Sequence, residues 1–438
     1  MFNLFSKSYL ELREYLNTVP VIETHEHYTG MTGPISNVFD MIGYYYRSDL
    51  LSASFGKENE ISMALDDQKQ DFDSRFNIFE KAFKKSGKTA YASALKTGLK
   101  ECWGVDDIDR KSMLELQDKF VNRNQTFYDV LMKKYGIKAK IVDMSCFELD
   151  RFINLVEGKY KEYTEFCRFA FPLNDFHNIH SFTDLKKLEG CLGQNINCLD
   201  DYVKGFEVFL RKSVDFGAVC IKDSSAYRRR IDYPNTSRAE AEHAFNLIIG
   251  NPRNTYGANE VEALDNWLFH HFMRLAAKYS LPVQIHTGHL AGIRNDIRNA
   301  NAVSFIPVME LHQDVCFDLF HGNWPYMGEY LFIGKNYPNA YLDLCWVQAV
   351  DPLYSIELMK RALATVPHSK LMAFGGDTEA IELAVGYLVM ARDNAACALS
   401  EITDKRWIGM LEAKQIAADW FFNNPNDLFN LGFERFLS

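Results

Sequence analysis

Two histidines separated by one residue, His25 and His27, follow an apolar run at residues 19–22. Side chains two positions apart on a β-strand point to the same face, so both imidazoles can approach one point. Four more residues with chemically useful side chains lie within four residues after later apolar runs: Lys222, His286, His321 and Asp377. Imidazole and carboxylate groups that converge can hold a divalent cation. The pattern therefore predicts a metal site, provided that the runs are neighbouring strands.

Eight short apolar runs, each followed by polar residues, are the elements that would position these side chains. Amphipathic stretches at residues 260–279 and 355–364 predict helices between the later runs. Buried strands that alternate with helices indicate a parallel sheet, and eight such units favour an α/β fold, the closed (β/α)8 TIM barrel. An open doubly wound sheet is the alternative, but no glycine-rich phosphate turn follows the first run. The runs cover residues 19–22, 139–142, 169–171, 218–221, 282–285, 315–317, 340–344 and 371–374.

The segment between the first two runs is about 110 residues long, far beyond an ordinary βα connection. Residues 54–99 within it have a helical pattern rich in Lys, Asp and Glu. We expect residues 31–130 to form a mostly helical insertion over the barrel mouth, where substrate specificity would be determined. Residues 1–30 and 131–438 would then form the barrel, with helices after residue 380.

Composition excludes several classes of protein. The 438 residues include 48 Lys and Arg against 58 Asp and Glu, a net charge of −10, which argues against a nucleic-acid partner. No apolar run is long enough to span a membrane, and the N-terminus has no secretory pattern, so a cytoplasmic location is expected. The nine cysteines include no CxxC pair, which disfavours disulfides and a thiolate zinc site. The expectation of a homo-oligomer rests only on the fact that most soluble oligomers consist of identical chains.

Four segments, at residues 21–27, 284–289, 320–325 and 374–377, together resemble the amidohydrolase superfamily of metal-dependent barrel hydrolases. Residues 221–228 resemble one branch, the amidohydrolases related to a domain fused to glutamine-synthetase-like proteins. Uronate isomerases, which also have an HxH motif and a similar large insertion, are a neighbouring branch.

The resemblance implies roles for the converging residues. His25, His27, His286 and Asp377 would hold the metal, Asp377 would also act as general base, and His321 would polarise a carbonyl; the roles of His286 and His321 could be exchanged. Zinc is favoured, manganese, iron or nickel remain open, and the site could hold one or two ions.

The remaining predicted site residues concern the substrate. Lys222 would either be carboxylated and bridge two metals, as in binuclear relatives, or bind a substrate carboxylate. Tyr227 and Arg228, after the fourth run, and His289 and Trp324, after the fifth and sixth, are candidate substrate-binding residues. In contrast, His177 and His180 have no evident partner and are expected in a surface loop.

Three functions are compatible with these observations. The first is a metal-dependent hydrolase that cleaves a C–N or C–O bond, in an amide, lactone or similar group, of a small polar substrate carrying a carboxylate. The second is a sugar-acid isomerase of the uronate isomerase type. The third is a barrel scaffold without chemistry, which the intact set of potential ligands argues against.

Overall fold

The computed structural model describes residues 6–28, 35, 37–121, 123–143, 149–159 and 165–437. Within these ranges, residues 121 and 149–151 are described by their backbone alone. The described residues form eight parallel strands in one sheet, paired in chain order from β1 to β8. The strands are β1 (Val21–Glu26), β2 (Ile137–Asp143), β3 (Cys167–Pro172), β4 (Ala218–Asp223), β5 (Val283–Ile285), β6 (Phe317–Leu319), β7 (Ala340–Asp343) and β8 (Leu371–Met372).

The sheet closes into a barrel through backbone hydrogen bonds between β1 and the segment after β8. Thr24 N donates to Phe374 O at 3.1 Å, and Asp377 N donates to His25 O at 2.9 Å. The predicted TIM barrel is therefore confirmed, and each predicted run overlaps a strand. The first run is displaced: β1 begins at Val21, because Val19 ends the preceding helix and Pro20 has no N–H to donate.

Helices surround the barrel and join its strands. α1 (Lys7–Thr18) precedes β1, and α9 (Leu149–Val156) joins β2 to β3. Before β4 come α10 (Asn174–His177), α11 (Phe182–Leu192) and α12 (Leu199–Phe216); before β5 come α13 (Arg238–Gly250) and α14 (Ala258–Tyr279). The later helices are α15 (Ile306–Leu311), α16 (Met327–Asn336), α17 (Val347–Val350), α18 (Pro352–Thr365), α19 (Ile381–Asp404), α20 (Met410–Ala418) and α21 (Asn424–Leu428).

Among the described residues, seven α-helices lie between β1 and β2. They are α2 (Val38–Ile42), α3 (Arg47–Ser52), α4 (Glu58–Asp66), α5 (Phe72–Ser86), α6 (Ala90–Trp103), α7 (Arg110–Val121) and α8 (Gln125–Lys134). The segment predicted to be helical is thus helical, while its treatment as a separate insertion bounded at residues 31 and 130 stays a prediction.

A close crossing of α6 and α19 fixes the helices between β1 and β2 against the barrel. A Cβ at Gly98 would lie 2.1 Å from Glu382 O, and one at Gly386 would lie 2.3 Å from Ala94 O, so both positions require glycine. Nearby, Arg123 Nη1 lies 3.2 Å from Glu382 Oε1 in a buried ion pair. This crossing places α6, which carries Tyr91, against the barrel.

None of the described helices is long and apolar enough to cross a membrane. The cysteines among the described residues are free thiols. Cys146 and residues 1–5 of the N-terminal segment lie outside the described residues.

Candidate metal centre

Five predicted residues meet at the C-terminal ends of the strands: His25, His27, His286, His321 and Asp377, here called the mouth cluster. Asp377 connects them. Its Oδ1 lies 2.7 Å from His27 Nε2 and 3.7 Å from His25 Nε2, and its Oδ2 lies 3.6 Å from His321 Nε2. A nitrogen and a carboxylate oxygen 2.7 Å apart need a proton or a cation between them. The strands therefore bring together the residues that the sequence singled out.

His286 joins the cluster through His321. Its Nδ1 lies 3.4 Å from His321 Nε2, while its Nε2 lies 2.7 Å from the backbone oxygen of His289. His286 thus faces the cluster with Nδ1, one step further from Asp377 than the other histidines. This placement keeps both predicted roles for His286 and His321 geometrically open.

Asp143, at the end of β2, was missed by the sequence analysis. Its Oδ2 lies 3.7 Å from His25 Nε2, and ligand atoms of His25, His27 and Asp143 all lie within 4.8 Å of one another. Like the residues identified from the sequence, it closely follows an apolar run, so the same rule could have found it. Cys345, after β7, forms a second such group with His321 and Asp377.

Carbonyl groups beside the histidines set their orientation. His25 Nδ1 lies 3.3 Å from Gln284 Oε1, and His321 Nδ1 lies 2.9 Å from Cys345 O. An acceptor at Nδ1 places the proton there and leaves the Nε2 lone pair facing the cluster. Two oriented imidazoles and the Asp377 carboxylate form a donor set that suits a divalent metal.

The cluster favours neutral imidazoles. Burial lowers the pKa of His25 to about 3 and that of His321 to about 4, and it lowers the pKa of His286 well below its usual value. Burial alone would raise the pKa of Asp377, but the hydrogen bond with His27 and the neighbouring imidazoles hold it well below its usual range. Neutral imidazoles beside an ionised carboxylate are the protonation states that metal binding requires.

The backbone is strained at three strand ends around the cluster. His321, Trp346 and Asp377 have φ angles of 60°, 64° and 52°, in a region that non-glycine residues rarely adopt. Before Asp377 the chain is tightly enclosed, since a Cβ at Gly376 would lie 1.8 Å from Glu26 Oε1. Glu26 Oε2 also accepts a hydrogen bond from Thr378 N at 2.9 Å, so the turn that presents Asp377 is held on both sides.

Lys222 lies inside the barrel beneath the mouth cluster and is 1% exposed. Its Nζ has no hydrogen-bond partner among the described residues and lies 4.3 Å from the centroid of the Phe320 ring. An unpaired buried ammonium is energetically costly. The position is compatible with both roles predicted for Lys222.

Three of the four predicted substrate-binding residues surround the mouth. The Tyr227 ring lies 4.8 Å from that of His286, and the His289 ring lies 5.4 Å from that of Trp324. Arg228 is exposed and lines a different cavity of about 480 Å³, whose lining contains no member of the mouth cluster.

Aromatic residues missed by the sequence analysis complete the mouth. The Tyr45 ring lies 4.2 Å from that of Trp346, and its hydroxyl donates to Asp377 Oδ1 at 3.3 Å. The Tyr91 hydroxyl lies 3.3 Å from His289 Nε2. Tyr45 and Tyr91 come from the helical region between β1 and β2, and no local sequence pattern indicates that they reach the site.

The expectation of a surface loop for His177 is wrong. His177 is 1% exposed and lies between two carboxylates, Asp265 and Asp223. Burial here depends on partners distant in sequence, which the short polar stretch around His177 does not reveal.

Comparison with known proteins supports the assignment of the fold. Residues 251–431 match the family model described as Amidohydrolase. The chain is 25% identical over 248 residues to protein fluG of Emericella nidulans; the match covers 53% of this chain and only 28% of that protein. The barrel is similar to the uronate isomerase of Thermotoga maritima, with a TM-score of 0.77 and 12% identity over 97% of each chain.

A second similar structure is a Lactobacillus casei protein provisionally named a metal-dependent hydrolase. Its TM-score is 0.67 and its identity 13%, over 96% of this chain and 97% of that one. At such identities the two structures show the fold alone. The family match covers residues 251–431, the part of the barrel that contains His286, His321 and Asp377. Residues 251–431 of the chain are therefore similar to the amidohydrolase family, and the whole chain has the fold of these barrels.

Proposed function

We propose that this enzyme is a metal-dependent hydrolase that cleaves a C–N or C–O bond of a small polar substrate carrying a carboxylate. The observation that carries the proposal is the position of Asp377. One of its oxygens faces His27 and His25, and the other faces His321. A carboxylate that bridges potential metal ligands and a second histidine can accept a proton from water beside the bound substrate.

In this proposal, each residue of the mouth cluster has a role in metal binding or catalysis. His25, His27, His286 and Asp377 would hold a divalent metal, with zinc favoured, and Asp143 lies close enough to His25 and His27 to be a further ligand. When bound, the metal supplies Lewis acidity and acidifies water. Asp377 accepts the proton of the attacking water and returns it to the leaving group. His321, whose Nδ1 proton is bonded to Cys345 O, presents a lone pair at Nε2 and would therefore add a ligand rather than donate a hydrogen bond to the substrate. The number of ions depends on whether Lys222 is carboxylated.

The alternative is an aldose–ketose isomerase of the uronate isomerase type. It is favoured by the similarity to the Thermotoga maritima uronate isomerase, which extends over 97% of both chains. In this reaction the same carboxylate would move a proton between adjacent carbons rather than activate water. The narrower assignment to the branch fused to glutamine-synthetase-like domains also remains a prediction.

The test uses purified enzyme loaded with zinc or manganese, assayed on a panel of carboxylate-bearing amides and lactones and on glucuronate and galacturonate. Hydrolysis is expected, with Asp377→Asn lowering kcat/KM by about 10²- to 10⁴-fold while metal content is kept. Asp314→Asn, at an exposed position, is the matched control. Ketose formation without hydrolysis, or full activity of Asp377→Asn with its metal retained, would overturn the proposal.

A further inference from the structure

Residues 224–233, here called the β4 loop, begin and end on one carboxylate. Asp223 Oδ1 accepts hydrogen bonds from Ser225 N at 2.9 Å and from Ser225 Oγ at 2.6 Å. Asp223 Oδ2 accepts a hydrogen bond from the Tyr233 hydroxyl at 2.5 Å. The loop that carries Tyr227 and Arg228 is therefore closed at its base by the last residue of β4.

His177, the last residue of α10, connects this base to a second carboxylate on α14. Its Nδ1 is hydrogen-bonded to Asp265 Oδ1, and its Nε2 lies 3.6 Å from Asp223 Oδ1. Burial alone would lower the pKa of His177, but the charge of Asp265 and the hydrogen bonds to both carboxylates raise it to about 9. His177 is thus an imidazolium at neutral pH and compensates two buried negative charges.

Asp265 also holds the middle of the β4 loop. Its Oδ2 accepts a hydrogen bond from Arg229 Nη1 at 2.5 Å, and the Arg229 guanidinium lies 4.5 Å from the centroid of the Tyr233 ring. The loop is consequently fixed at its start, middle and end, and each fixed point leads to Asp223 or Asp265. We call His177, Asp223, Asp265 and Arg229 the β4 cluster.

The two residues between these fixed points face outward with different surroundings. Tyr227 lies against His286 of the mouth cluster, and its hydroxyl accepts a hydrogen bond from Ala291 N at 3.0 Å. Arg228 is exposed, and among the described residues no carboxylate pairs with its guanidinium. Arg230, by contrast, lies 3.2 Å from Asp232 Oδ2. Arg228 instead lines the cavity outside the mouth cluster, together with Asp232 and Glu262.

The β4 cluster is not a second catalytic triad, although Ser225 Oγ lies 3.4 Å from His177 Nε2. The Ser225 hydroxyl donates to Asp223, and Ser225 is 6% exposed. An imidazolium between two carboxylates cannot accept a proton from serine, as a nucleophilic mechanism would require. The arrangement is therefore suited to holding the loop rather than to attacking a substrate.

We propose that His177 is a positioning residue that holds the β4 loop preformed, so that Tyr227 keeps its place against His286 at the mouth, where the substrate binds. Only the effect on substrate binding rests on the proposed function; the ordering of the loop by His177 does not. A rigid loop lowers the entropy lost when a substrate binds, so losing His177 should weaken binding more than it slows the chemical step.

The first test is hydrogen–deuterium exchange of the metal-loaded enzyme, which needs no substrate. In His177→Gln, peptides from residues 224–233 should exchange at least tenfold faster, while peptides from β1 and α19 keep their rates. The matched control is His180→Gln, because His180 lies in the same connection but bonds to Tyr256 O and to the Asn178 side chain. Unchanged exchange in residues 224–233 of His177→Gln would overturn the proposal.

A second variant covers the case in which His177→Gln does not fold. Arg229→Gln removes only the middle attachment and should raise exchange chiefly around residues 226–230, by a smaller factor; no increase there would also overturn the proposal. With a substrate from the assay panel, His177→Gln should raise KM at least tenfold with kcat changed less than threefold, and an equal fall in kcat would contradict a positioning role. Faster loop exchange in an enzyme without hydrolase activity would refute the proposed function alone.

Discussion

Two buried clusters of histidine and carboxylate lie next to each other at the strand ends, and they differ in how fully their atoms are paired. In the β4 cluster, two cations, His177 and Arg229, face two anions, Asp223 and Asp265. In the mouth cluster, burial keeps the imidazoles of His25, His286 and His321 neutral around one ionised carboxylate. The first cluster is complete with the groups it has, whereas the second presents lone pairs that a cation would satisfy.

The difference teaches how to separate structural histidines from potential ligands. The histidines of both clusters are buried, so the burial of a histidine alone does not distinguish the two clusters. What distinguishes them is the partner at each ring nitrogen. His177 meets carboxylate at both nitrogens, while His25 and His321 have a carbonyl at Nδ1 and direct Nε2 toward Asp377. A carbonyl fixes a neutral tautomer, and a pair of carboxylates fixes an imidazolium.

The largest expected effect comes from removing ligands of the mouth cluster. In His25→Ala/His27→Ala, affinity for zinc should fall more than about 100-fold, since loss of an outer-shell partner alone costs about 10- to 100-fold. Mass-spectrometric metal analysis of purified protein, followed by chelator competition, measures this. His177→Gln is the control and should keep its metal. Equal metal loss in both variants would show that the two clusters do not differ as described.

The next effect concerns pH, measured on metal-free protein. The folded pKa of His177, about 9, is higher than its unfolded value of about 6.5. Its contribution to the free energy of unfolding is therefore complete below pH 6.5 and is lost as the pH rises toward 9. The change is about 3 kcal/mol at 1.36 kcal/mol per unit. Denaturant unfolding at several pH values should show the gap between wild type and His177→Gln narrowing across this range.

Asp223 does not disturb this pH experiment. Its pKa is lowered from the usual value, so this carboxylate stays ionised from pH 6 to 9 and adds no slope there. A gap between wild type and His177→Gln that stays constant from pH 6 to 9 would mean that His177 is not held as an imidazolium.

The sequence predicted the barrel and the five residues of the mouth cluster because both follow a local rule. A buried parallel strand is an apolar run, and the residue after it lies at the mouth. Asp143 obeys this rule and could have been found by applying it to every run. The partners of His177 could not, since Asp223 and Asp265 lie on other elements and only the folded chain brings them together.

The contribution of the helices between β1 and β2 to the mouth could also not be predicted from the sequence. Their existence was predictable from helical patterns, but the contact of Tyr45 with Asp377 and the close crossing of α6 and α19 at Gly98 and Gly386 are visible only in the folded chain. A crossing of that kind depends on two glycines in segments far apart in the chain. No single segment shows that an aromatic residue from this region touches the predicted base.

The smallest expected effect tests whether this region takes part in the chemistry or only covers the mouth. Tyr45→Phe keeps the ring against Trp346 and removes the hydroxyl that donates to Asp377 Oδ1. A hydrogen bond to a charged group is worth about 1.5 kcal/mol or more, so kcat/KM should fall about tenfold, with metal content unchanged. Tyr91→Phe is the matched control, because its hydroxyl faces His289 instead and should matter less. If both variants keep full activity, the helices between β1 and β2 shape the mouth without tuning Asp377, and the mouth cluster works with barrel residues alone.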